Sequence, residues 1–294
     1  MGFTQGSVQV VAEIGCNHRG DIQIAHKMIE TAARCGVDVV KFQKRCPKEL
    51  LTKEEYEKPH NNPDHAYGET YGKHREALEF TVEQHAQLQK HCAIVGVDYS
   101  CSVWDCTSAK EIVSLNPRYI KIPSAMNLCW PIYDALLASG WLGGWHISLG
   151  MTTPAEEAQI WDKMLSSGKA GNLVLYHCTS GYPCPTNELY LRNVEALKMR
   201  YLGVIVGFSG HHLGIAADIA AAMLGASWIE RHFTLDRTWK GTDHAASLEP
   251  QGLGKLVRDL KAVSESLQVK PLEISGVEVE QRKKLKKAQI GVGR

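Results

Sequence analysis

Two lysines stand out as candidates for chemistry, because each lies inside a short apolar stretch where a charge is costly. Lys41 lies in VVKFQ and Lys121 lies in YIKIP. A lysine that is buried in such a stretch must be paired or must bind something. Ser124 and Ser148 stand in or beside similar stretches, and hydroxyl and ammonium groups together suit a phosphate or a carboxylate. The pattern therefore predicts an anion-binding site.

A pair of histidines forms a second pattern, since His211 and His232 also follow or end apolar stretches. Neutral imidazoles at neighbouring positions can share one divalent cation, whose remaining ligands are substrate oxygens and waters. A hydrogen-bonded core histidine is an equally good interpretation from spacing alone. For the two lysines the corresponding alternative is ion pairing with Glu13 and Glu230. His18, in the loop after the first apolar stretch, is compatible with a solvent-facing position.

These residues lie at equivalent points of a repeating pattern, near the ends of short apolar stretches that precede helical ones. Eight such units predict an α/β fold, a single-domain (β/α)8 TIM barrel whose site lies at the carboxyl ends of the strands. A doubly wound sheet is the main alternative, but the chain has no GxGxxG turn. The predicted strands are 8–14, 37–43, 97–100, 119–122, 145–149, 173–177, 203–207 and 227–233. The predicted helices are 22–34, 82–95, 106–114, 131–137, 155–165, 189–199, 215–224 and 253–267.

One long segment, residues 44–81, interrupts the second unit. It is polar, contains proline, and is too long for an ordinary βα loop. We expect an insertion that sits over the barrel mouth, the alternative being a passive surface insertion. The 294 residues then divide into a barrel domain over 1–270 and a C-terminal tail over 271–294.

Composition excludes several classes of protein. Lys and Arg total 33 against 32 Asp and Glu, a net charge of +1, so we expect no nucleic-acid partner. The chain has no apolar run of the roughly 18 residues that a membrane helix needs, and its first residues lack the charged and apolar pattern of a signal peptide, so we expect no membrane partner. Its nine cysteines include no CxxC pair, which argues against a disulfide framework and a structural zinc site. We therefore expect a cytoplasmic protein with reduced thiols.

Several segments around these residues carry a family resemblance. They are AEIGCNHRGD (12–21), VVKFQK (39–44), YIKIPSA (119–125), ISLGM (147–151), HCTSGYP (177–183), GFSGHHLGI (207–215) and ERHFTLDRTWKGTDHAASLEP (230–250). They resemble the sialic acid synthase (N-acetylneuraminate synthase) family. The last of them, with TYGKHREALEF (70–80), resembles the animal-type branch, which uses a 6-phosphorylated sugar. The resemblance implies a (β/α)8 barrel and a transferase that condenses phosphoenolpyruvate with open-chain N-acetylmannosamine or its 6-phosphate. The products would be a 2-keto-3-deoxy sugar acid and phosphate.

The resemblance also implies roles for individual residues and a homodimeric assembly. The residues that would hold phosphoenolpyruvate are Lys41, Lys121, Ser124, Ser148 and Ser180. Those that would contact the sugar are Gln43, Tyr182 and Asp243. His211 and His232 would ligate a divalent cation, Mn²⁺ or Mg²⁺. The catalytic residues would be Glu13, Lys121 and His232, with Glu13 the candidate for proton transfer.

Three features depart from the family pattern. Residues 123–126 read Pro-Ser-Ala-Met, where the family usually has an acidic residue after Gly-Ser-Gly, and Cys101-Ser102 replaces a bacterial-type Thr-Pro. The tail is expected to be too short for the antifreeze-like domain that family members normally carry. The alternatives are therefore a synthase of the same chemistry acting on another aldose, such as mannose 6-phosphate, a metal-dependent aldolase or isomerase, and a noncatalytic partner of a full-length synthase.

Overall fold

Eight parallel strands form a closed barrel in chain order in the computed structural model, which describes residues 8–287. The strands are β1 (Gln9–Gly15), β2 (Val39–Lys44), β3 (Asp98–Val103), β4 (Tyr119–Ile122), β5 (Gly144–Ser148), β6 (Leu173–His177), β7 (Ile205–Gly210) and β8 (Trp228–His232). Each predicted strand overlaps its observed counterpart. The (β/α)8 barrel predicted from the sequence is therefore confirmed.

Helices surround the barrel and connect its strands. They are α1 (Ile22–Arg34), α2 (Pro47–Leu50), α3 (Lys53–Glu57), α4 (Tyr71–Ala77), α5 (Val82–Val95), α6 (Cys106–Ser114), α7 (Trp130–Ala138), α8 (Pro154–Ser166), α9 (Asn193–Arg200), α10 (Ala216–Met223), α11 (Pro250–Ser266) and α12 (Gly276–Leu285). Short 3₁₀ turns lie at Pro63–His65, Ser124–Met126, Ala170–Asn172, Thr186–Glu188 and His244–Ala246. Helix α5 begins at the bounds predicted for it because Thr81 and Gln84 form a reciprocal capping box. It ends at Gly96, which adopts the left-handed φ of 82°.

Alternation along the strands separates an apolar layer of the barrel interior from a charged one. The amino-terminal half of the interior is packed by Val11, Val39, Tyr119, Val174, Tyr176 and Trp228. Two residues further along the same strands, and on the same face, come charged side chains: Glu13 on β1, Lys41 on β2, Lys121 on β4 and Glu230 on β8. The carboxyl end of the barrel interior is therefore polar.

The segment between β2 and α5 differs from its sequence prediction, which placed no helices there. It contains α2, α3 and α4, each of only four to seven residues. Thr52 and Thr70 cap α3 and α4, so the helices are fixed by local hydrogen bonds. In the predicted tail, α12 has no buried residue. The predictions for residues 1–7 and 288–294 lie outside the described residues.

Two composition-based expectations can be compared with the structure. All nine cysteines are free thiols. Over residues 8–287, every helix is too short or too polar to cross a lipid bilayer.

Candidate active site

A cavity of about 370 Å³ opens at the carboxyl end of the barrel. Its size falls within the range of small-molecule sites. The structure brings all of the predicted site side chains to its lining, namely Glu13, Lys41, Gln43, Lys121, Ser124, Ser148, Ser180, Tyr182, His211, His232 and Asp243. Residues that are up to 230 positions apart in the chain therefore share one space, as the barrel topology requires.

Four buried charges form the floor of the cavity, and we call Glu13, Lys41, Lys121 and Glu230 the charged cluster. Lys121 Nζ donates to Glu230 Oε1 at 2.6 Å, and Lys41 Nζ donates to Glu13 and, at 2.8 Å, to Ser102 Oγ. Lys41 Nζ also lies 3.7 Å from Glu230 Oε1. Glu13 and Lys41 meet because they are opposite each other in the register of β1 and β2. The ion pairs that the sequence offered as an alternative are present, and the same lysines face the cavity.

Mutual attraction favours the ionised forms of Glu230 and Lys41 despite their burial. Burial alone would raise the pKa of Glu230, but Lys121 and Lys41 outweigh it and lower that pKa to about 2. Burial lowers the pKa of Lys121, and Glu230 offsets only part of that effect. For Lys41 burial is outweighed by Glu13 and Glu230, which raise its pKa. Within residues 8–287, Glu230 Oε2 is a buried oxygen without a hydrogen-bond partner. Because Glu230 lines the cavity, this oxygen can accept a hydrogen bond from a ligand there.

An oxygen-rich recess lies beside the charged cluster, where the loops after β4, β5 and β6 converge on Gly150. Ser124 Oγ accepts a hydrogen bond from Gly150 N at 3.0 Å and lies 3.2 Å from Cys178 Sγ. A Cβ atom at Gly150 would lie 2.5 Å from Ser180 Oγ and 2.7 Å from Ser124 Oγ. Glycine at this position therefore leaves room between the two hydroxyls, and the backbone amide and hydroxyls suit an anionic oxygen.

The two histidines meet at the cavity wall with nitrogens available to a cation. Their ring centroids are 5.5 Å apart. His211 Nδ1 contacts Thr179 O at 3.0 Å, which makes Nδ1 the donor and leaves the lone pair on Nε2. Burial, reinforced by His232, lowers the pKa of His211 to about 3, so this imidazole is neutral. His232 Nδ1 is buried without a hydrogen bond in the described part of the chain, 3.8 Å from Asp243 Oδ2.

His211, His232 and Asp243 suit a divalent cation whose remaining ligands come from substrate or water. Among residues 8–287, no group of three or more His, Cys, Asp or Glu side chains is arranged to hold a metal ion alone. The imidazoles of His211 and His232, beside the Asp243 carboxylate, are nevertheless suitable donors for Mn²⁺, provided that substrate or water oxygens complete the coordination. The metal assignment stays a prediction.

A chain of polar contacts orients the predicted sugar-binding side. Gln43 Nε2 donates to Glu13 Oε1 at 2.7 Å, and Arg45 Nη2 donates to Gln43 Oε1. Arg45 is in turn paired with Glu79 at 3.2 Å. These contacts fix which way the Gln43 amide points. Both oxygens of Glu13 accept bonds, from Lys41 and Gln43, so proton transfer at Glu13 requires one of these bonds to open.

The sequence interpretation missed the cavity residues that the insertion supplies. Besides Arg45, these are Tyr67, His74, Arg75 and Leu78. The only sequence signal for them was the length and polarity of the segment, which predicted its position over the mouth but not which side chains would enter the cavity.

His18 corrects the expectation of a solvent-facing loop residue. Its side chain is buried and stacks on Phe80, with ring centroids 4.0 Å apart. Its Nδ1 accepts a hydrogen bond from Gly20 N at 3.0 Å. The end of the insertion covers it, which the local sequence around His18 does not indicate.

Comparison with known proteins finds a matching family and relatives that are named as synthases. The NeuB family model matches residues 28–271. The chain is 40% identical over 250 residues to N-acetylneuraminate-9-phosphate synthase of Drosophila melanogaster, covering 85% of this chain and 66% of that protein. It is 36% identical over 258 residues to the Mus musculus protein of the same name, covering 88% of this chain and 70% of the relative. The chain thus spans about two thirds of the length of these relatives.

A solved structure agrees with the sequence matches. The N-acetylneuraminic acid (sialic acid) synthetase of Leptospira borgpetersenii superposes with a TM-score of 0.79 at 26% identity, covering 95% of this chain and 92% of that one.

Proposed function

The chain belongs to the NeuB family, and from that premise we propose that it is a phosphoenolpyruvate-dependent synthase of sialic acid-like sugar acids. The acceptor that we propose is the open-chain aldehyde of N-acetylmannosamine or of its 6-phosphate. One observation carries the proposal: the side chains expected to bind phosphoenolpyruvate, sugar and metal all line one cavity, whose floor holds two buried lysines.

Phosphoenolpyruvate would lie against the charged cluster and the recess around Gly150. Lys41 and Lys121 would neutralise its phosphate and carboxylate, and the hydroxyls of Ser124, Ser148 and Ser180 would complete the oxygen contacts. Because the lysines already have carboxylate partners, their positions are fixed before the ligand arrives. Such preorganisation lowers the reorganisation needed during the reaction.

The proposed reaction forms one carbon–carbon bond and breaks one carbon–oxygen bond. C3 of phosphoenolpyruvate attacks the acceptor aldehyde carbon, which becomes a hydroxyl-bearing carbon after it gains a proton. The oxygen of one water adds to C2, the bond from C2 to the phosphate oxygen breaks, and inorganic phosphate leaves. Phosphoenolpyruvate, aldose and water thus give the 2-keto-3-deoxy sugar acid and phosphate.

The chain's own residues would position both reactants and handle the protons. The reacting carbons need to lie about 3–3.5 Å apart, which the two ends of one cavity can enforce. Gln43, Tyr182 and Asp243 would contact the acceptor. Glu13 would transfer a proton between water and the aldehyde oxygen of the acceptor. His211 and His232 would hold Mn²⁺ or Mg²⁺, which when bound supplies Lewis-acid polarisation of the aldehyde oxygen.

The test is an aldose panel assayed with and without phosphoenolpyruvate, in the presence of Mn²⁺. We expect phosphate release, and a keto acid of the summed mass in the mass spectrum, only when both substrates are present. Turnover of a sugar without phosphoenolpyruvate would favour the aldolase or isomerase alternative. No turnover of any aldose would favour the noncatalytic partner. We also propose a homodimer in the cytoplasm, for which sedimentation of the purified chain tests the assembly.

A further inference from the structure

A buried arginine connects the strand that ends in His232 with the loop that carries His211. Arg231 follows Glu230 and precedes His232 on β8. Because side chains alternate along a strand, Arg231 points out of the barrel, whereas its two neighbours line the cavity. Arg231 is fully buried, and its guanidinium pairs with Asp218 on α10, which is buried as well. This ion pair therefore lies behind the barrel wall, directly outside the site.

Hydrogen bonds from Arg231 hold the main chain of the β7–α10 loop. Nη2 donates to His212 O at 2.6 Å, and Nη1 donates to Gly214 O at 2.8 Å. The same Nη1 lies 3.2 Å from His212 Nε2. His212 directly follows His211 in the chain, and Arg231 directly precedes His232. One guanidinium therefore joins the two segments that bring the predicted metal ligands to the cavity.

Other contacts fix the position of His211 only in part. The pairing of β7 with β8 ends at Gly210, one residue before His211. Thr179 O contacts His211 Nδ1 at 3.0 Å, and Cys184 N donates to His211 O at 2.9 Å. These two contacts tie the histidine to the β6–α9 loop. The hydrogen bonds of Arg231, in contrast, tie the β7–α10 loop to β8.

Stability alone does not account for the network around Arg231. Asp218 Oδ1, His212 Nδ1 and Arg231 Nε are buried without a hydrogen-bond partner within residues 8–287, and each such atom lowers stability. A buried ion pair is also often no more stabilising than apolar side chains of the same volume. A planar guanidinium that donates to several acceptors does, however, fix the relative position of the segments that it joins.

We propose that Arg231 is a positioning residue for the metal site, because it sets the separation between the imidazoles of His211 and His232. Two ligands hold one cation tightly only when both donor atoms point to it, so a looser β7–α10 loop would weaken metal binding. The inference rests on the proposed function, since it takes both histidines as ligands of one divalent cation.

Mn²⁺ binding to variants of the full chain, followed by electron paramagnetic resonance, tests the proposal. Arg231→Met removes the side-chain hydrogen bonds to the loop but leaves Asp218 buried without its cation. The double variant Arg231→Met with Asp218→Asn removes that uncompensated charge. Both variants should bind Mn²⁺ about 10- to 100-fold more weakly than the wild type, the usual loss when a contact that orients a metal ligand is removed. Their affinity for phosphoenolpyruvate, measured by calorimetry in EDTA, should not change.

Ile160→Ala is the matched control for a loss of stability, because Ile160 is fully buried on α8 and does not line the cavity. It should lower the urea midpoint and leave the Mn²⁺ affinity unchanged. Wild-type Mn²⁺ affinity in the double variant would overturn the proposal. An equal loss of Mn²⁺ and phosphoenolpyruvate affinity would also overturn it, since Arg231 would then only maintain the barrel.

The wild-type protein separates this proposal from the proposed function. If it binds no Mn²⁺, or if His211→Ala binds Mn²⁺ as tightly as the wild type, the histidines are not metal ligands and the positioning role of Arg231 is refuted with them. If the Arg231 variants lose Mn²⁺ affinity but the wild type never consumes phosphoenolpyruvate, the positioning role stands and the proposed function is refuted.

Discussion

The positive charges on the floor of the cavity and those at its mouth have different partners. On the floor, the charged cluster pairs each lysine with a glutamate, and all four side chains are buried on strands. At the mouth, Arg19, Arg75 and Lys240 stand on loops and on the insertion, and each lies against an aromatic ring and has no ion pair within residues 8–287. A buried charge needs an opposite charge beside it, whereas water stabilises a charge that is partly exposed, even without a ligand.

The difference suggests a division of work between the two regions. Strand residues have fixed register, so the floor suits a step that every turnover shares, the binding of phosphoenolpyruvate. Loop residues can change without disturbing the barrel, so the mouth suits the choice of acceptor. If this division is right, substitutions on the floor should affect phosphoenolpyruvate, and substitutions at the mouth should affect the sugar.

The largest effect is expected for Lys121→Met, which leaves Glu230 buried without its closest partner. We expect phosphoenolpyruvate affinity to fall at least about 100-fold and the free energy of unfolding to fall by about 3–5 kcal/mol, as for a broken buried ion pair. Calorimetry and urea unfolding measure the two quantities. Lys163→Met, at an exposed pair with Asp134, is the control and should change neither by much.

A double variant separates structure from binding on the floor. Lys121→Met with Glu230→Gln removes both charges and should recover most of the lost stability, because no uncompensated charge remains. It should not recover phosphoenolpyruvate affinity. Normal affinity in this variant would show that the lysine is only a structural partner of Glu230.

Metal removal is expected to have the next largest effect. EDTA should abolish product formation, and Mn²⁺ or Mg²⁺ should restore it. His211→Ala should weaken Mn²⁺ binding, followed by electron paramagnetic resonance, by at least about 100-fold, since a ligand is lost. His91→Gln on α5 should bind Mn²⁺ like the wild type, because His91 pairs with Glu30 and does not line the cavity. Full activity in EDTA would contradict the assignment of both histidines.

Acid should loosen the mouth through His18, which the end of the insertion covers. Burial lowers the pKa of His18 to about 3, below the roughly 6.5 of an unfolded chain. The unfolded state then binds more protons, so stability falls as the pH drops below about 6.5, by roughly 2 kcal/mol at pH 5. Urea unfolding at pH 7 and pH 5 should show a loss about 2 kcal/mol smaller in His18→Asn. An unchanged loss would mean that protonation of His18 does not matter.

The smallest effect is expected for Tyr67→Phe, which removes the hydroxyl that joins Arg19 to the Lys240 carbonyl. Loss of one such bond costs about 1 kcal/mol, so the KM of the acceptor should rise roughly fivefold. The KM of phosphoenolpyruvate should not change, because Tyr67 lies at the mouth. A rise in both constants would break the division between floor and mouth.

The sequence predicted the floor better than the mouth for a physical reason. Strand alternation dictates that Glu13, Lys41 and Lys121 share the barrel interior once the eight units are recognised. The mouth depends on helices of four to seven residues, too short for a periodic pattern, and on contacts such as Tyr67 to Lys240, which are 173 positions apart. Neither can be predicted from neighbouring residues in the sequence. For the same reason His18, which packs against Phe80, was wrongly expected to face solvent.

Isotopically labelled phosphoenolpyruvate shows whether this cavity joins phosphoenolpyruvate to an aldose. Carbon-13 at C3, followed by nuclear magnetic resonance and mass spectrometry, reports whether that carbon becomes bonded to the sugar. We expect the label to enter a 2-keto-3-deoxy sugar acid, with one phosphate released for each label transferred and none released without the aldose. Phosphate release that leaves the label in pyruvate, or no transfer to any aldose in the presence of Mn²⁺, would contradict it.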